Sequence, residues 1–221
     1  MFTLRGSLLC AGALLAAVVV FPTTGAAATA TRALSCPACG HNLILNPGAE
    51  AGPGAPNDTV VAVPDWKATG GFTATQYAWS GGDVSETSPG PPNRGKNYFY
   101  GGPDAAKSTG TQLISVPRAG VSYGRIIYNV SAWLGGYDGQ EDDTVMYVIF
   151  EGTTGAALST VLLGPVTEAQ RRGESELLYR HKSGLVPAAT QTIKVELVMT
   201  RYQGSDNDGL ADNLSLVLTA P

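Results

Sequence analysis

Charge is scarce in this chain. Lys, Arg, Asp and Glu together make up 14 % of its 221 residues, and the formal net charge is −4. That balance excludes a nucleic-acid binder, which needs a Lys/Arg excess to neutralise phosphates. Cysteine is limited to three residues, so the fold rests on a buried core and not on a disulfide knot. Histidine occurs only twice, at His41 and His181. Disorder is excluded by a hydrophobic fraction of 43 %. What is abundant is glycine, at 28 residues, alongside many Ser and Thr. Low charge with that composition points to short strands and tight turns.

Long apolar runs are also missing, with one exception. Residues 8–21 are apolar over roughly 14 positions, follow Arg5 and end at Pro22. Ala26-Ala27-Ala28 and Ala28-Thr29-Ala30 fit a small-x-small cleavage site. A membrane span needs about 20 apolar residues, so this run is too short for an anchor. Cys10 lies inside the run behind the large Leu9, which argues against a lipoprotein site. Residues 1–30 therefore read as a secretory signal peptide, and the mature protein is expected outside the cell. Residues 31–41 form an N-terminal segment containing Cys36-Pro37-Ala38-Cys39. A redox pair would need a βαβ setting, and a zinc site two more ligands. A short Cys36–Cys39 disulfide loop in an oxidising compartment is the expected reading.

Residues 42–221 carry period-two patterning throughout. Ile193, Val195, Leu197 and Met199 share one face, with Lys194 and Glu196 opposite. Ile126, Tyr128, Val130, Ala132 and Leu134 face one way; Ile127, Asn129, Ser131 and Trp133 face the other. Residues 144–150 are apolar on both faces, as in a central strand. Leu214, Leu216 and Leu218 alternate with polar Ser215. Further strands are expected at 42–45, 72–79, 97–100, 111–116, 158–163 and 176–180, with one helical turn near 167–172. Turn clusters such as Gly81-Gly82-Asp83 and Pro89-Gly90-Pro91-Pro92 separate them. The expected fold is all-β: one domain built as a two-sheet antiparallel β-sandwich.

The two ends of this domain carry a resemblance. Asn42-Leu43-Ile44-Leu45-Asn46-Pro47-Gly48-Ala49-Glu50-Ala51-Gly52, then Pro64-Asp65-Trp66, then Asp212-Asn213-Leu214-Ser215-Leu216 resemble carbohydrate-binding modules of families four, nine and twenty-two. Those are galactose-binding-domain-like jelly rolls. Ala49 departs from the pattern, which carries an aromatic there. Stretches such as Asn93-Arg94-Gly95 and Gly135-Gly136-Tyr137 also look like an uncharacterised family of exported bacterial proteins. The first resemblance implies glycan binding and a structural calcium ion. Its ligands would be Glu50 and Asp212, with backbone carbonyls near Gly52. Calcium takes six to eight oxygen ligands, mixing carboxylates with carbonyls, which suits this set. The stretch 206–212, read as a loop, adds further oxygen donors.

A glycan needs an aromatic platform with polar neighbours. Trp133 shares a strand face with Asn129 and Ser131, and Tyr137 and Gln140 follow in the adjoining loop. Trp133, Asn129, Tyr137 and Gln140 are the expected ligand-binding residues, with polysaccharide as partner. Trp133 packed under a loop is the competing structural reading. Trp66 and Trp79 read as core or loop anchors. Gly120-Val121-Ser122-Tyr123-Gly124 matches G-x-S-x-G, and Ser122, Asp143 and His181 follow in Ser-Asp-His order. That motif works on a strand–turn–helix elbow in an α/β sheet, which this sequence lacks. Non-catalytic glycan binding is the leading expectation. A structural or adhesive surface protein is the alternative, and a secreted hydrolase a distant third.

Overall fold

The computed structural model describes residue 2, residues 36–116 and residues 125–220. The expected signal peptide at 1–30, with Cys10, and the motif around Ser122 lie outside the described residues. Among the described residues there are ten strands: β1 (Lys67–Thr69), β2 (Thr73–Gln76), β3 (Asn97–Gly102), β4 (Lys107–Ser115), β5 (Ile127–Gly136), β6 (Asp143–Glu151), β7 (Ala157–Leu163), β8 (Glu176–Leu185), β9 (Thr192–Thr200) and β10 (Asn207–Thr219). They form two antiparallel five-stranded sheets. Sheet I runs β1-β4-β9-β6-β7 and sheet II runs β2-β3-β10-β5-β8. A short helix, α1 (Glu168–Arg171), falls where the helical turn is expected, started by a capping box between Thr167 and Gln170.

The period-two faces meet as expected. Ile193, Val195, Leu197 and Met199 of β9, with Met146, Val148 and Phe150 of β6, face Val130, Ala132 and Leu134 of β5 and Leu214, Leu216 and Leu218 near the C-terminus. All are essentially inaccessible to solvent. Trp66 stacks edge-on against Phe99, at 5.2 Å between ring centres, and closes one end of this core. A core anchor is what its sequence context indicates.

Two expectations are corrected. Residues 42–45 are not a strand. Asn42 makes a single bridge to Val217, the Gly40 and Leu43 N–H groups donate to the Leu218 and Leu216 carbonyls, and the Asn42 side chain adds to this pairing. Its amide donates to the Leu214 carbonyl, and its Oδ1 accepts from the Leu216 N–H. The segment thus fills the part of the β10 edge that β3 leaves open, and Cys36 and Cys39, joined in the expected disulfide, stiffen its start. Residues 206–212 are not a loop either, because β10 begins at Asn207. The Asp/Asn/Gly composition reads as a turn, but tertiary partners satisfy these polar groups inside a strand. Asn207 donates to the Met199 carbonyl, and the Asp208 N–H donates to Asp142. A bulge then follows, with Asn213 and Leu214 opposite Ala132 and Asn213 at φ +46°. The extra residue keeps Leu214 pointing into the core while Asp212 turns to the outer face of sheet II.

Candidate functional site

The outer face of sheet II has two halves. One half is covered. The 77–96 connection between β2 and β3 folds over it and makes a second small core from Tyr77, Val84, Tyr98, Tyr100, Leu177 and Leu210. Arg94 holds the connection together by donating to the carbonyls of Ser85, Ser88 and Pro91, with its guanidinium 5.0 Å from the Tyr77 ring centre. The Asn93-Arg94-Gly95 stretch is therefore a structural clamp.

The other half is open, and it belongs to β5 and β8. Trp133 lies directly opposite Tyr179, Ser131 opposite His181, and Asn129 opposite Ser183. Residues paired across an antiparallel ladder project from the same face. The Trp133 and Tyr179 ring centres are 5.6 Å apart, and Tyr179 stacks on His181 at 5.7 Å with a 20° angle between planes. Trp133 leans on the second core with one edge and is only half-buried, whereas Tyr179 is 50 % exposed. Trp133 packs on the second core, as its structural reading expects, and also lies beside Tyr179 in the row. Sequence reasoning missed Tyr179 and His181 as site residues. The signal was the alternation Leu177, Tyr179, His181, Ser183, which continues past the expected strand end at residue 180.

Tyr137 and Gln140 are not part of this row. They line a separate cavity of about 340 Å³ with Asp83, Asp206 and Asp208, and neither Trp133 nor Asn129 reaches it. The expected four-residue site thus divides into two pairs. The divider is Arg171 of α1, a fully buried residue. It donates to the carbonyls of Asp138 and Gln140 and to that of Glu174, pulling residues 137–140 away from the row.

The expected calcium ligands Glu50 and Asp212 both border Gly48. Glu50 Oε1 accepts from the backbone N–H groups of Lys96 and Asn97, at 2.9 and 2.8 Å. Gly95 makes this approach possible, because a Cβ there would overlap the Glu50 carboxylate. Asp212 is fully buried and accepts from the Tyr77 hydroxyl at 2.8 Å. The Ala49 and Gly52 carbonyls both accept from Asn97 Nδ2, at 3.0 and 3.1 Å. Ala49 is itself buried at φ +60°, so the position leaves no space for an aromatic. Asn97 Oδ1 is enclosed and has no hydrogen-bond partner. The two ends of an amide are nearly interchangeable in shape. Turning this one over would put its oxygen beside the Ala49 and Gly52 carbonyl oxygens, three acceptors that need a cation between them. The donor chemistry fits a hard cation. Among the described residues, no three His, Cys, Asp or Glu side chains cluster, so carbonyl and amide oxygens would have to complete the shell.

Several carboxyls lie above their ordinary range. Burial pushes Asp212 up to about 7, with repulsion from Glu50 adding to it. Burial, then Asp142 and Asp206, push Asp208 up to about 7. Burial, then Asp142 and Glu141, push Asp143 up to about 6. Each group binds its proton more tightly folded than unfolded. Their contribution is therefore fully present below about pH 4 and lost as pH rises through 6 to 7. In metal-free buffer the melting temperature should rise between pH 8 and pH 5. A fall over that interval would contradict these environments.

The hydrolase order is not assembled among the described residues. Asp143 begins β6 in sheet I, while His181 sits on the outer face of sheet II.

No protein-family model matches the sequence, and no curated protein matches it significantly. Solved structures do align with it. A cyclase from Fischerella sp. TAU has a TM-score of 0.54 at 12 % identity, covering 82 % of this chain and 98 % of that one. The enzymatically active domain of Bacteriophage CBA120 tailspike protein 4 has a TM-score of 0.51 at 18 % identity, over 80 % of this chain. The match spans 21 % of the tailspike chain. Carbohydrate-binding modules are also among the aligned structures. TmCBM61, solved with beta-1,4-galactotriose, has a TM-score of 0.49 at 15 % identity and covers 81 % of this chain and all of that one, 100 %. What the chain shares with the cyclase and the tailspike domain, at these identities, is a fold: the two-sheet antiparallel β-sandwich.

Proposed function

We propose that the protein is an exported, non-catalytic glycan-binding protein whose binding surface is the open half of sheet II. One observation supports this above all. Trp133, Tyr179 and His181 form a continuous row of rings on a rigid sheet, flanked by the amide of Asn129 and the hydroxyls of Ser131 and Ser183. Ring faces suit the C–H faces of sugars, and the flanking groups suit their hydroxyls. Retention on a panel of insoluble polysaccharides tests the reading. The protein should be retained on at least one; passage through all of them would overturn it.

A second reading has its own support. Leu45 and Leu113 are 60 % and 69 % exposed and line one shallow apolar cavity with Trp66 and Ile114. Such a surface suits protein contacts by a structural or adhesive protein. Failure on every glycan would favour it.

The reading includes a structural calcium ion held by Glu50, Asp212, the Gly52 carbonyl and the turned amide of Asn97. Bound calcium would tie the first turn of the domain to β3 and β10. A ligand present at about 100 times its dissociation constant adds roughly 2.7 kcal/mol. Chelation with EDTA should then lower the melting temperature by about 5 °C or more, and added Ca²⁺ should restore it. An unchanged melting temperature would remove calcium from the account. Export would leave a mature chain beginning near residue 31, which N-terminal sequencing of protein from the medium would check.

A further inference from the structure

The cavity that takes Tyr137 and Gln140 away from the aromatic row has no role in glycan binding or in the Glu50–Asp212 site. It lies where three segments meet: residues 80–83 of the β2–β3 connection, the loop after β5, and residues 204–208 at the start of β10. Two of its acceptor atoms are orphans. Asp83 Oδ2 and Gln140 Oε1 are both fully enclosed, and neither has a hydrogen-bond partner. An enclosed acceptor left unpaired costs about 1–3 kcal/mol, and more when it is charged. Two of them in one cavity mark the place of a missing donor or cation.

The charge around the cavity says which. Asp83 is raised well above its ordinary range by burial and then by Asp208, Asp206, Asp58 and Asp142, in that order. Among the described residues, no basic side chain forms an ion pair with them. The single ion pair among the described residues, Lys194–Glu196, is on sheet I. Arg201 is the nearest basic residue in sequence, and it donates to the Ser205 carbonyl. Asp142 is already satisfied by the N–H groups of Tyr202, Gln203 and Asp208, and so serves as a backbone anchor. Asp208 accepts from the Gln140 side-chain amide, which leaves Asp83 Oδ2 and Gln140 Oε1 as the acceptors without a partner, and the lining holds no His or Cys.

We propose that this cavity is a second cation site, taking a hard divalent ion of the calcium type between Asp83 and Asp208 with the amide oxygen of Gln140. Calcium accepts irregular shells of six to eight oxygens, so water and carbonyls complete what two carboxylates begin. So few charged ligands place the affinity in the range of extracellular modules, a dissociation constant of about 0.1–1 mM. The ion would fasten the β2–β3 connection to β10 and to the loop after β5. That connection covers the second core on which Trp133 leans, so the site would steady one side of the aromatic row.

Calorimetric titration of the metal-free full chain with CaCl2 tests the proposal, together with Asp83→Asn, Asp208→Asn and Glu50→Gln. Binding in the millimolar range should weaken at least about tenfold in Asp83→Asn and Asp208→Asn and persist in Glu50→Gln. In metal-free buffer Asp83→Asn should melt at or above the wild-type temperature, since it replaces a carboxyl whose enclosed Oδ2 has no protein partner. Wild-type calcium binding in both Asp variants would overturn the proposal. So would an Asp83→Asn melting temperature several degrees below wild type without metal. Loss of binding in Glu50→Gln alone would overturn this site and keep the other. Loss in the Asp variants alone would do the reverse.

Discussion

Replacing Arg171 with methionine is expected to lower stability by about 3–5 kcal/mol, the largest effect of any single substitution considered. Methionine fills much of the space left by the arginine stem, so the loss is mainly polar. Three carbonyls, those of Asp138, Gln140 and Glu174, lose their donor at once. Each hydrogen bond from the charged guanidinium contributes about 1.5–3 kcal/mol, reduced here because all three are only part-buried and the methionine needs no desolvation of charge. Burial already pulls the Arg171 pKa below its ordinary value, although the acidic residues Glu168 and Glu176 oppose this. For a domain of this size, 3–5 kcal/mol corresponds to a drop of about 10 °C in melting temperature. Lysine in the same place should recover only part of it. It keeps the charge but lacks the planar fork that reaches carbonyls on two sides. A methionine variant within about 2 °C of wild type would mean that this clamp is not holding the loop.

Trp133→Ala should weaken retention on any glycan that the native protein binds by about 30-fold, equivalent to about 2 kcal/mol. Trp133 is the ring with the firmest support, because its inner edge rests on the second core while its outer edge meets Tyr179. A platform held in place before binding loses little side-chain freedom when a sugar lands on it. The alanine variant also loses some packing, so Tyr179→Ala serves as the partner experiment. Tyr179 is 50 % exposed, and its removal should spare the melting temperature while reducing retention. Full retention by both variants would move the binding surface elsewhere.

Much of the sandwich was legible because its chemistry is local. Alternation in 193–199, 125–134 and 214–218 names the buried face directly, since the side-chain period of a strand is two. Residues 67–69 gave no such signal. All three positions of β1 are exposed, and the strand exists only because β4 offers it a partner. Position 206–212 failed for the opposite reason. Its Asp and Asn residues look like a turn until Met199, eight residues earlier, and Asp142, distant in sequence, supply their hydrogen bonds.

The candidate sites divide in the same way. Glu50, Gly52 and Asp212 were readable from motifs at the chain ends. Asn97, which bonds to Glu50 and to the Gly52 carbonyl, sits in a stretch that shows only strand alternation. Trp133 and Asn129 were readable as one face of one strand. Their neighbours Tyr179 and His181 come from β8, and nothing in a single sequence states which strands are adjacent. Tyr137 and Gln140 follow Trp133 closely in the chain but part from it in space, because a buried arginine 31 residues beyond Gln140 holds their loop.

The central claim is that a glycan lies along the open half of sheet II. Titrating a retained oligosaccharide into the isotopically labelled protein, and following backbone amide resonances, tests it most directly. The account predicts shifts concentrated at residues 129–133 and 179–183. Shifts centred on Leu113 and Tyr147 of sheet I, or no shifts at saturating ligand, would contradict it.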